Sequence, residues 1–250
     1  EFNPMVGVNG YFGALNLGYK NFIFLDATYR YDISSTLPKD NRAYGYPSVT
    51  GSWIFSEHVD ATWFSLGKIR AGYAEVGNGT FYNRVDNSYI IETPYGGNSV
   101  VRNPIRLNNA DLKPERSKSL EAGIETYFWQ NRLGAELTYY NTDTENQIIA
   151  TDVPFETGYS TRMINAGIMN NKGWEVVLNA TPVIAGDFKW DLSINWSKNK
   201  NTLKELYTNP ETGSKLETIA IASLQGGVSI AAREGESFPV ILGTDFVYDT

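Results

Sequence analysis

The side chains able to do chemistry in this sequence are few, and their spacing argues for binding, not bond-making. Among 250 residues there is one histidine, His58, and no cysteine, so no His/Cys metal set has its spacing. The serines lack a nucleophile-elbow context, and no phosphate-cradling glycine motif opens a helix. Carboxylates gather at Asp143 and Glu145 and again at Asp245 and Asp249; these are oxygen ligands of the kind calcium takes, but their spacing follows no calcium loop. No catalytic residue, metal or cofactor is therefore expected. Recognition is better served. Tyr82, Tyr89 and Tyr95 share one turn-rich stretch with Arg84 and Arg102; aromatic planes stack on sugar rings, and guanidinium groups pair with carboxylates. Glu125 and Glu136 complete the candidate set, as carboxylates along a path that a polar solute would follow.

A period of two positions these residues. Leu120, Ala122, Ile124, Thr126 and Phe128 alternate with Glu121, Gly123, Glu125, Tyr127 and Trp129, which makes a strand with one apolar and one polar face. A tight turn at Gln130 and Asn131 then sets Phe128 opposite Leu133, Thr126 opposite Ala135, Ile124 opposite Leu137 and Ala122 opposite Tyr139. The apolar rows coincide. On the other face Glu125 meets Glu136, and two like charges facing each other need water, so that face is wet.

The rest of the chain repeats the pattern. Strands are expected at about 10–18, 22–32, 46–57, 65–76, 118–129, 132–143, 173–181 and 187–199, with a ninth at 238–248. Apolar rows of equal parity require odd loops. Tyr19-Lys20-Asn21 is therefore read as a turn that places Leu17 opposite Ile23 and Tyr11 opposite Tyr29, and Pro182 to Gly186 as another odd turn. Polar connections fill 33–45, 77–117, 144–172 and 200–237, the last with a helical turn at Leu203 to Tyr207. Short connections thus alternate with long ones, and strands of about ten residues suit a tilted bilayer crossing. Aromatic residues fall at two levels: Trp53, Phe55, Phe128, Phe188 and Trp190 near the short turns, and Tyr29, Tyr73, Tyr139, Trp174 and Trp196 near the long loops. Trp129 has the other parity and is assigned a stack on Arg132. A soluble sandwich would bury the same rows, so the levels and loop lengths, not the period, point to lipid.

Composition excludes other classes. No apolar run is long enough for a membrane helix, and 21 basic against 28 acidic side chains, with no basic run, leave no footprint for nucleic acid. The fold class is all-β: a contiguous part of a transmembrane antiparallel β-barrel.

The run Asn109-Ala110-Asp111-Leu112-Lys113-Pro114-Glu115, the following Ser117-Lys118-Ser119-Leu120-Glu121-Ala122-Gly123 strand, and Thr138-Tyr139-Tyr140-Asn141 resemble the barrel of TonB-dependent outer-membrane receptors, most of all the SusC/RagA-like branch of Bacteroidetes. Ile164-Asn165-Ala166-Gly167, Asn171-Lys172-Gly173-Trp174-Glu175 and Asn195-Trp196-Ser197-Lys198-Asn199-Lys200 extend the resemblance. It implies a receptor of about 22 strands in the bacterial outer membrane, with an N-terminal plug outside this chain. It also implies energy-coupled import of a nutrient, an oligosaccharide or a peptide. The implied partners are a SusD-like surface lipoprotein, TonB acting through the missing plug region, outer-membrane lipid and the glycan or peptide solute, with no nucleic acid. The chain is read as a piece of a longer protein, an open sheet that should not fold stably alone. A passive porin or adhesin-type outer-membrane barrel, an outer-membrane enzyme and a soluble β-rich surface-binding protein remain as alternatives.

Overall fold

Alternation of apolar and polar residues becomes one antiparallel wall. The computed structural model describes residues 5–208, 213–223 and 225–244. Its strands are β1 (Val8–Tyr19), β2 (Ile23–Ser34), β3 (Ala43–Ile54), β4 (Phe64–Asn78), β5 (Ile90–Tyr95), β6 (Asn98–Arg102), β7 (Arg106–Leu107), β8 (Glu115–Phe128), β9 (Leu133–Asp152), β10 (Thr161–Ala185), β11 (Phe188–Glu205), β12 (Tyr207–Thr208), β13 (Lys215–Leu216), β14 (Thr218–Ser223), β15 (Ser229–Arg233) and β16 (Val240–Leu242). The wall runs β1-β2-β3-β4-β8-β9-β10-β11, each strand antiparallel to the next, and β7 adds a short parallel pairing to β10. Two short 3₁₀ turns, Phe55–His58 and Phe155–Thr157, are the only helical pieces among the described residues.

The central hairpin has the expected register: Phe128 faces Leu133, Ile124 faces Leu137 and Glu125 faces Glu136. Two other hairpins depart from expectation. In the first, the turn is Lys20-Asn21-Phe22, so Leu17 faces Leu25 and Tyr11 faces Tyr31. Parity cannot separate registers that differ by two residues. The left-handed backbone at Lys20 (φ 48°) and Asn21 (φ 59°) fixes this one. In the last hairpin the turn is only Gly186-Asp187, and a bulge between Ala180 and Val183 absorbs the odd residue. Pro182 lies in that bulge because it has no N–H to give the ladder. Arg132, expected under Trp129, instead donates from Nε to the Thr181 carbonyl (3.2 Å) and from Nη2 to the Pro182 carbonyl (3.0 Å). The Trp129 ring packs beside Phe128, because φ is positive at 129, 130 and 131 and the chain reverses there.

The apolar face is not a core. Leu137 is 39% exposed and Leu192 43% exposed, and the row Ile23–Trp53–Ile69–Ile124–Leu137–Val176–Trp196 crosses seven strands with nothing but apolar residues. An apolar band of this extent belongs against lipid; in water it would aggregate. At the short turns, ring contacts run unbroken from Tyr19 through Phe22, His58, Trp53, Phe55 and Phe64 to Phe128 and Trp129, with centroids 4.7–6.1 Å apart. His58 is thus an edge-on member of the lower aromatic level.

Strand tilt can be read from the same face. The row Leu17–Leu25–Gly51–Ala71–Ala122–Tyr139–Trp174–Lys198 crosses all eight strands. Taking the long connections as up, Leu17 lies six residues below Tyr11, the topmost exposed aromatic of that face on β1, whereas Lys198 lies two residues above Trp196. The band therefore slips about eight residues over seven strand steps, roughly 26 Å along the strands against roughly 34 Å across them. The tilt is about 38°, within the range of membrane barrels.

Above the band the chain packs against itself. Leu37, Leu112, Met163, Ile164, Ala166, Leu203, Leu206, Ala231 and Ala232 are buried, and all lie beyond the upper aromatics. Here the expected loops prove to be partly strand: 144–172 contracts to 153–160 because β9 and β10 continue upward, and 33–45 contracts to 35–42. Within 77–117, β5 and β6 form their own hairpin. The helical turn expected at Leu203 to Tyr207 is absent, since Leu203 faces Met169 in β11 and Tyr207 faces Leu216. From the stretch 238–248, β16 joins β15 in a separate three-stranded sheet, while residues 245–250 lie outside the described residues. Leu203, Leu206 and Ala232, with Met169, Ile219 and Phe238, pack that sheet to the wall.

Candidate functional site

Every second residue of the wall faces the wet side, where several charges are held in pairs. Arg70 on β4 donates from Nη1 to Glu121 Oε1 (2.7 Å) and from Nη2 to Thr138 Oγ1 (2.9 Å), spanning three strands. Lower down, Lys68 lies 3.5 Å from Glu125, and Tyr127 donates its hydroxyl proton to Glu136 (2.9 Å). Lys68 and Tyr127 thus relieve the opposition of Glu125 and Glu136 by binding one carboxylate each.

Near the top, β2 and β3 place Arg30, Asp32 and Tyr46 on this face. Asp32 is 5% exposed; it accepts from Arg30 Nε at 2.9 and 3.1 Å and from the Tyr46 hydroxyl. Beside it Ser34 and Thr36 share a hydrogen bond of 2.8 Å, both nearly buried. Asp32, Ser34 and Thr36 open on a cavity of about 600 Å³ lined also by Tyr44, Asn78, Arg84 and Glu115 among others. Burial, with help from Asp32, raises the Tyr44 phenol above its ordinary pKa, so it is a neutral donor. Glu115 is committed: it accepts from the Ile148 amide (2.9 Å) and from Asn78 Nδ2 (3.1 Å). The cavity presents hydroxyl, amide and guanidinium groups, a set suited to holding a polar solute.

The loop that closes this cavity is anchored at several points. Asn165 on β10 accepts the Lys113 amide (2.8 Å) and donates to the carbonyls of Lys113 (2.8 Å) and Asn146 (2.9 Å), standing in for a strand partner. Asn108 bonds Asn87 and the Asp86 carbonyl, and the Ile105 carbonyl accepts from the Ser160 amide at 2.8 Å. Arg84 Nη1 touches Met163 Sδ at 3.6 Å. Burial, then the charge of Arg84, lowers the Arg106 pKa below its ordinary value.

The candidates named from the sequence fall in three places. Arg84 lines the cavity, and Tyr82 precedes it on the same loop. Tyr95 and Arg102 belong to the β5–β6 hairpin, where Arg102 pairs with Glu92 and Tyr95 is 84% exposed, and Tyr89 immediately precedes it. Glu125 and Glu136 stand near the short turns, far down the wall from both. Asp32, Ser34 and Tyr44 were missed. Their signal was present in the parity of Arg30 and Asp32, which share a face two residues apart. Asp143 and Glu145 are engaged by Lys204 and Lys118, each at 2.7 Å.

Residues 3–231 match the family model described as TonB dependent receptor-like, beta-barrel. A TonB-dependent receptor of Formosa agariphila is 30% identical over 246 residues, 96% of this chain and 24% of that relative. The TonB-dependent receptor SusC of Bacteroides thetaiotaomicron is 29% identical over 208 residues, 78% of this chain and 21% of its own length. Among solved structures, the RagAB peptide transporter shares the fold with a TM-score of 0.80 at 21% identity, covering 92% of this chain and 25% of that one. The chain spans about a quarter of the length of the relatives it matches.

Proposed function

Because the chain belongs to the TonB dependent receptor-like β-barrel family, we propose that its eight-stranded wall serves an energy-coupled outer-membrane importer of a nutrient, an oligosaccharide or a peptide. The observation that carries this reading is the rim cavity, whose hydroxyl, amide and guanidinium groups lead onto a polar face that carries ion pairs. TonB would act through a plug outside this chain. A SusD-like lipoprotein would cover the loops; in support, the β5–β6 hairpin pairs only with itself among the described strands, and Ile91, Tyr95 and nearby Phe81 are at least 76% exposed. Apolar side chains raised above the membrane on such a hairpin suit a protein partner.

The test uses the whole receptor in a strain lacking its own copy. Uptake of labelled peptides and of labelled oligosaccharides is measured with and without TonB. One class should accumulate only when TonB is present; uptake that ignores TonB would instead fit a passive porin and end this reading. Arg84→Gln should lower uptake about tenfold, the loss of one charge-assisted contact, with the barrel still folded.

A further inference from the structure

Above the upper aromatics the lipid-side face turns from apolar to charged. Over β4, β8, β9 and the end of β11 the new charges come matched: Arg116 Nε lies 2.8 Å from Glu75, Lys118 Nζ 2.7 Å from Glu145, and Lys204 Nζ 2.7 Å from Asp143. Lower on β10 and β11 they do not. Lys172 stands directly opposite Lys200, and Lys198 directly opposite Trp174. Parity puts all three on the face of Trp174 and Trp196, and all three are exposed. Across its other edge Lys172 faces Asn141, which is neutral. The closest acid along that edge, Asp143, is held by Lys204 and by Asn170 at 2.8 Å. No ion pair involves Lys172, Lys198 or Lys200 among the described residues; β11 has a described neighbour only on its β10 side, so the opposition of Lys172 and Lys200 is the enclosed part of the cluster.

Like charges opposed across a ladder repel and are stabilised when an anion lies between them. The level narrows the choice of anion. These lysines begin about two residues, roughly 7 Å, above the exposed indole of Trp196, and belt aromatics sit at headgroup depth. The Trp174 ring, packed on Tyr139 at 4.8 Å, supplies an apolar shelf directly beneath. We propose that Lys172, Lys198 and Lys200 bind the phosphate of an outer-leaflet lipid headgroup, with Trp174 and Trp196 against its apolar part. Ammonium groups suit this target as mobile point charges that need no fixed fork geometry. The proposal rests on the outer-membrane location and is independent of the solute carried, so its failure would leave TonB-dependent uptake unchanged.

The test measures lipid retention by native mass spectrometry on the whole receptor in neutral detergent, with bisphosphorylated lipid A as the probe. The unaltered receptor should retain it, and lipid A stripped of both phosphates should bind far more weakly. K172Q/K198Q/K200Q should lose about 100-fold in affinity, at about fivefold per lysine. K20Q/K39Q/K113Q, which neutralises three exposed lysines elsewhere, should lose nothing. Equal binding of the stripped lipid, unchanged binding by the first triple variant, or equal loss in the second would overturn the proposal. So would complete displacement by inorganic phosphate, which would mark a free-anion site. If the glutamine variant does not fold, as judged by heat-modifiable gel migration, the comparison of phosphorylated with stripped lipid on the unaltered receptor decides.

Discussion

Val176 and Val177 are the same residue on adjacent positions of β10, yet one joins the lipid-side row and the other faces Glu136. Lysine at Leu178, the next lipid-side residue below Val176 and further inside the apolar band, should cost about 2–4 kcal/mol, the penalty of a charge deep in the bilayer, whereas lysine at Val177 should cost less than about 1 kcal/mol. Reversible unfolding of the whole receptor in lipid vesicles, followed by tryptophan fluorescence, gives both values; equal costs would mean the faces are misassigned. At the rim, Tyr46→Phe removes a donor to nearly buried Asp32 and should destabilise that corner by about 1–3 kcal/mol. Loss of amide-exchange protection confined to the upper ends of β2 and β3 would register it. Which face a side chain takes was legible in the sequence, because strand geometry makes it a matter of odd and even. Which wet-face residues come together was not, since Arg84 reaches the cavity through a loop whose path no period encodes.

Legibility also failed at the level of elements, and for one reason. Inside the bilayer each strand has a dry and a wet face, so the sequence alternates; above it both faces of the β9–β10 extension meet water or other loops, and the alternation fades although the strands continue to Asp152 and from Thr161. Hydrogen bonds from side chains take over there, and Asn165 is the plainest case. Asn165→Ala removes three bonds to Lys113 and Asn146, so local opening should become about 100-fold easier at about 1 kcal/mol per bond. Hydrogen exchange at the Lys113 amide measures it directly. An unchanged rate would mean that buried Leu112, not the amide, holds the loop.

At the scale of the molecule, β1 and β11 each pair with one neighbour among the described residues, which leaves two rows of backbone donors and acceptors to be satisfied by other strands. Residues 1–250 produced alone and refolded into micelles should therefore give no heat-modifiable band, while the whole receptor does; a stable, heat-modifiable fragment would mean that the edges close on each other. The lean of the strands has a consequence for anything moving along this wall. Because each level shifts by about one residue per strand, a ladder row such as Asp26–Thr50–Gly72–Glu121–Tyr140–Gly173–Asn199 climbs as it goes round. A cargo that keeps its grip on that row must revolve as it sinks, like a nut on a thread, and the side chains it meets in succession are neighbours in the winding but far apart in the chain.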